Sequence, residues 1–171
     1  MIPMKNRKLI DIYYKEAVKN LDKSILSNKD KWYNHILQLP EHLQVIYTVV
    51  NFHQQLFKGG FHLYFSKPHG QFAYLALENL WMIKAIKSFM ILKGALNEVN
   101  CELYTPDEFR KQAFEGTLEQ IKNADEDFVD VLDELDTEYY SLAEDVEELL
   151  ADYIKNTALT LQHEQQLEDY R

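Results

Sequence analysis

Thirteen carboxylates lie between Asp125 and Asp152, and no lysine or arginine interrupts the chain from Asn123 to Ile154. Carboxylates at this density admit three kinds of chemistry: acid–base catalysis, cation coordination, or the display of negative charge. Acid–base catalysis needs two carboxyls held in unlike environments within a cleft. Abundance alone does not supply that contrast. An EF-hand loop starting at Asp125 fails, because Val129 and Asp130 stand where an oxygen ligand and a glycine are required. No Glu-x-x-His occurs, so the usual di-iron bundle signature is missing. His53, His62 and His69 lack the close spacing of zinc ligands. The one cysteine, Cys101, has no catalytic signature around it. The sequence therefore assigns no catalytic, cofactor-binding or metal-ligating residue. It predicts a protein with no cofactor that is not an enzyme. Display of charge is the chemistry that remains.

That display depends on the elements that carry it. Phe128, Val131/Leu132 and Leu135 recur at three and four residues, which places them on one side of a helix. At 100° per residue, Glu126, Asp127, Asp130, Asp133 and Glu134 fall on the opposite side. Ser141-Leu142-Ala143-Glu144 has the form of a capping box and predicts the start of a second helix. There Leu142, Val146, Leu149/Leu150 and Tyr153 face inward, while Glu144, Glu148 and Asp152 make an outer row with Asp145 beside it. Neighbours at i and i+4 are ~5–6 Å apart, close to the step between phosphates along one nucleic-acid strand. The predicted partner-binding set is thus Glu126, Asp127, Asp130, Asp133, Glu134, Glu144, Asp145, Glu148 and Asp152. Two blander readings compete with it: the rows are solvated helix faces, or the chain's own basic first helix neutralises them.

The rest of the chain is also helical in period. A first helix is predicted over about 4–26 from Leu9, Ile12/Tyr13, Ala17, Leu21 and Ile25, with an outer face of Lys5, Arg7, Lys8, Lys15, Lys19 and Lys23. Pro40-Glu41 opens a helix carrying Leu43, Ile46, Val49/Val50, His53 and Leu56/Phe57, and Gly59-Gly60 is expected to stop it. After the short aromatic run Phe61–Phe65, helical spacing resumes at Gln71. It turns near Lys84–Lys87 and continues to Val99. Thr105-Pro106-Asp107-Glu108 joins a capping box to a proline at the first helical position, and the helix it opens is expected to run toward Ala124. The polar stretch from Gln162 is expected to fray. No alternating strand pattern occurs. The expected fold is all-α, a single compact domain of about seven or eight helices over residues 1–171.

Bulk composition narrows the function classes. Formal charge is −10 and the sequence pI about 5.0. Residues 1–31 are net +4, residues 32–100 net +2 and residues 101–171 net −16. One end is acidic, and the whole is ill suited to bind nucleic acid or an anionic membrane directly. Without an apolar signal-peptide core or a membrane-length apolar run, and with one cysteine, a cytoplasmic protein is expected. Phe52, Phe57, Phe61, Tyr64, Phe65, Phe72, Tyr74 and Trp81 are expected to build core, with a ligand or partner groove as the competing use.

The order Leu39-Pro40, helix, Gly59-Gly60-Phe61-His62-Leu63-Tyr64-Phe65, glycine loop, Ala73-Tyr74-Leu75-Ala76-Leu77-Glu78-Asn79-Leu80 resembles an all-helical bacterial DNA-mimic protein family. The later Phe128…Leu132-Asp133…Leu135-Asp136…Tyr139-Tyr140 and Leu149–Ile154 are similar to its C-terminal half. The resemblance covers about 39–156. Lys58 and Leu63 depart from it, standing where asparagine and glutamine are common. The resemblance implies an acidic interaction protein that occupies the DNA-binding surface of a transcription regulator or other basic DNA-binding protein, with a homodimer among its expected states. Two alternatives stay open: an immunity or inhibitor-type protein with a different partner, and a small-molecule or metal-dependent enzyme using the aromatic region as a pocket.

Overall fold

The computed structural model describes residues 4–169. In chain order the helices are α1 (Met4–Val18), α2 (Lys23–Leu26), α3 (Lys29–Leu37), α4 (Glu41–Ser66), a 3-10 turn at Pro68–Phe72, α5 (Ala73–Met82), α6 (Ile86–Val99), α7 (Pro106–Glu115), α8 (Glu119–Lys122), α9 (Glu126–Tyr140) and α10 (Val146–Asp169). Eight have nine residues or more, in keeping with the seven or eight expected, and no strand occurs among the described residues.

α4 is the hub: α1, α5, α9, α10 and the 3-10 turn all pack on it. Its apolar residues encircle the helix, so Val45, Ile46, Phe52, Leu56, Phe61 and Phe65 are all buried. An all-round apolar helix is stable only inside a domain, and each such side chain contributes ~1.5–3 kcal/mol on burial. Several polar groups in this core are paired, whereas both side-chain amide atoms of buried Gln71 find no partner among the described residues. Trp32 Nε1 donates to Tyr47 Oη at 3.0 Å, and Asn79 Nδ2 donates to Thr48 Oγ1 at 2.7 Å.

Several boundaries differ from expectation, each for a local reason. α1 ends at Val18; Asp22 then caps α2 by accepting from the Ile25 amide at 2.9 Å. α3 is not among the expected helices; Asn28 caps it, its Oδ1 accepting from the Asp30 and Lys31 amides. Gly59-Gly60 interrupts α4 without ending it. Gly60 is left-handed at φ 70°, and the chain re-enters a helix at once through Phe61–Ser66. The Thr105–Glu108 capping box forms in both directions. α7 then stops at Glu115, because Gly116 takes φ 68° as a left-handed cap. α10 carries helix through the stretch expected to fray, as far as Asp169; residues 170–171 lie outside the described ones.

Candidate functional site

α9 is seated by its apolar stripe. Leu132 and Tyr139 are buried, Phe128 and Leu135 half-buried, and the helix lies on α4 and α6. Val131, expected on the same side, is at the margin and exposed. Asp125 caps the helix, accepting from the Phe128 amide at 2.9 Å. Glu126 and Asp127 follow in the first turn, where the helix dipole favours negative charge. Glu126, Asp127, Asp130, Asp133 and Glu134 are all exposed. Among the described residues none of the five takes part in an ion pair. Asp130, Asp133 and Glu134, with Thr137, line a shallow depression.

The second expected row does not hold together. Glu144 does not open α10. Its carboxylate turns to α6, accepting from the Lys87 amide at 2.9 Å, the Ser88 amide at 2.8 Å and Ser88 Oγ at 2.7 Å. The N-terminus of α6 has no side-chain cap of its own, so its orphan amides recruit this carboxylate from across the fold. Ser141 instead ends α9, and Asp145 accepts from the Glu148 amide at 2.9 Å at the start of α10. Asp145, Glu148 and Asp152 are exposed, and Asp152 pairs with Lys155 at 3.6 Å. The structure therefore gives one continuous carboxylate face on α9 and a broken one on α10.

Neutralisation by the basic first helix is limited. α1 packs on α4 and α10. Its only cross-helix ion pair among the described residues joins Arg7 to Glu147 at 3.6 Å, and Glu147 belongs to neither predicted row. Among the described residues no ion pair reaches α9.

Asp136, on the inner side of α9, is not among the expected partner-binding residues. It is half-buried and accepts from the Phe61 amide at 2.8 Å, capping the restarted half of α4. Burial raises its pKa above the ordinary carboxylate value and nearby Asp133 adds to this, while the Phe61 N–H opposes the shift. Only the pairing of a helix-breaking glycine pair with a distant acid could have signalled it, and sequence order hides that pairing.

Most of the aromatic run is core: Phe52, Phe61, Tyr64, Phe65 and Phe72 are buried, whereas Phe57 and Trp81 stand largely exposed. His53 lies in a cleft between α1, α4 and α10, beside Glu147. Its Nε2 is 3.9 Å from Glu147 Oε1, beyond hydrogen-bond range, and no hydroxyl or thiol lines the cleft. Among the described residues no group of three or more His, Cys, Asp or Glu side chains is arranged to hold a metal. No helix among them is long and apolar enough to cross a membrane.

A family model described as DMP19-like protein matches residues 37–157. The chain belongs to the DMP19-like family. The match covers most of the sequence; the resemblance covers about 39–156. In this DMP19-like chain it takes in α4 through α9 and the first half of α10, while α1 and α2 precede it. No curated protein and no solved structure matches the chain.

Proposed function

We propose that this chain is a DNA mimic that presents the outer face of α9 to the DNA-binding surface of a basic protein. The observation that carries the reading is the set Glu126, Asp127, Asp130, Asp133 and Glu134, exposed on one helix face and without ion pairs among the described residues. Membership in a family named for a DNA mimic supports it. So does charge density. At ~1.5 Å rise per residue the five charges span ~12 Å, a mean spacing of about 3.0 Å. A single DNA strand shows one per ~3.4 Å of axis and the duplex one per ~1.7 Å. The α9 face lies between these limits.

The mechanism follows from long-range attraction. Carboxylates that no internal cation screens steer encounter with a positive groove and supply a salt-dependent share of affinity. Each like-charged i, i+4 pair costs the free helix ~0.2–0.5 kcal/mol, a cost relieved when a positive surface docks. No catalytic step is part of the proposal. An inhibitor of a basic protein that does not bind DNA would use the same face. Duplex DNA as competitor separates the two: it displaces the chain from a DNA-binding partner and leaves the other complex intact.

A further inference from the structure

The cleft between α1, α4 and α10 is not used by the α9 face. It encloses about 190 Å³, below the ~300–1,000 Å³ of sites for drug-sized ligands. Its apolar wall is built by Ile10, Val49, Val50, Val146 and Leu150, and its polar groups are Arg7, Asp11, His53, Gln54 and Glu147. Arg7, Ile10 and Asp11 precede the family span, so the cleft is partly built by residues outside it.

Glu147 is the under-compensated group. Its side chain is 29% exposed, and Oε2 is buried without a hydrogen-bond donor among the described residues. Buried carboxylate oxygens ordinarily have such donors. The nearest cation, Arg7 Nε, is 3.6 Å away on a side chain that is itself 68% exposed. His53 does not serve in its place. Its Nδ1 is tied to Tyr139 Oη at 2.8 Å, which fixes the ring with Nε2 on the Glu147 side. Burial lowers its pKa below the ordinary value, only partly offset by Glu147 and Asp145, so the ring is neutral at pH 7. Two carboxylates, Asp11 and Glu147, then face one guanidinium, and the cleft carries net negative charge beside an aliphatic wall.

We infer that this cleft is a binding site for a small protonated amine with a short branched aliphatic body. The ammonium pairs with the Glu147 carboxylate, whose side chain lines the cleft and is 29% exposed, with Asp11 adding attraction. The aliphatic part rests on Val49, Val50 and Leu150. With so few heavy atoms, a dissociation constant on the order of millimolar is expected.

The test uses isopentylamine as probe and isovalerate as the anionic control of similar size. Methyl and histidine-ring NMR spectra of the full chain are followed during each titration. The inference expects saturable shifts at His53, Val49 and Leu150 with the amine and none with the carboxylate. It also expects at least a tenfold weaker response in Glu147→Gln. Val50→Phe, which fills the cleft from its half-buried rim and leaves Glu147 in place, loses the response as well. Absence of saturation with the amine in the wild-type chain overturns the site. Equal shifts with isovalerate, or an unchanged response in either folded variant, overturns it too.

Discussion

The Asp136 carboxylate of α9 clasps the break in α4: Oδ1 accepts from the Phe61 amide at 2.8 Å, and the same carboxylate presses against Gly60. A Cβ placed on Gly60 would come within 2.6 Å of Asp136 Cγ, and the backbone there is left-handed at φ 70°. One contact thus fixes the angle of the α4 kink and the seating of the helix that carries the acidic face.

Gly60→Ala is therefore expected to destabilise the fold by about 2–4 kcal/mol, combining the positive φ with the clash. Gly60→Ala with Asp136→Ala relieves the clash alone and recovers only part. Urea midpoints of the single and double variants check this. Full recovery in the double variant would show that φ carries no cost.

Asp136 also gives a pH signature. Its folded pKa is raised above the ordinary 3.8. A raised carboxyl favours the folded state fully below that ordinary value, and the advantage is lost as pH rises through the raised one. Asp136→Asn keeps an acceptor for Phe61 and cannot ionise. The stability gap between wild type and Asp136→Asn is expected to move in the variant's favour as pH climbs from the acid range to neutrality. A pH-independent gap in urea midpoints would contradict the assignment.

Three histidines set the opposite slope. His42, His53 and His69 all have pKa values lowered from 6.5, with burial the first cause in each. Stability from this source is complete above pH 6.5 and is lost as pH falls through the lowered values. Thermal melting between about pH 7.5 and about pH 5.5 is expected to show a falling Tm. His53→Gln should flatten part of that fall. An identical slope in His53→Gln would remove His53 from the account.

Glu144 separates capping from interface. Glu144→Ala loses three hydrogen bonds at the start of α6 and is expected to cost about 1–2 kcal/mol. Glu134→Ala, on the exposed face, should stay within about 0.5 kcal/mol. The reverse order in chemical denaturation would place Glu144, not Glu134, on the free surface.

The contrast between the two capping boxes shows how far the sequence was legible. Thr105 and Glu108 satisfy each other, so their spacing suffices to read the cap. Ser141 and Glu144 have the same spacing, but Glu144 is claimed by the uncapped amides of α6, where its partner Ser88 lies 56 residues away in sequence. Period placed five carboxylates of α9 outside, because Phe128, Leu132 and Leu135 share its inner stripe, but it did not place Val131, which is exposed, or Asp136, which turns inward. It was not enough for the end of α1, where Asp22 starts a new turn, or for α4. There the glycines break the helix, but Asp136 supplies a cap that allows it to restart. The cleft at His53 required α1 and α10 to meet across nearly the whole chain, which no local pattern encodes.

The central claim is tested most directly by immobilising the wild-type chain and a variant with Asp127, Asp130 and Asp133 changed to Asn and Glu126 and Glu134 to Gln. Captured proteins are compared at about 50 mM and about 500 mM salt, with and without duplex DNA. The account predicts that wild type retains a basic DNA-binding protein at low salt and releases it to high salt or to DNA. The folded variant should retain none. Equal retention by the variant, or a complex that duplex DNA fails to displace, would contradict DNA mimicry by the α9 face.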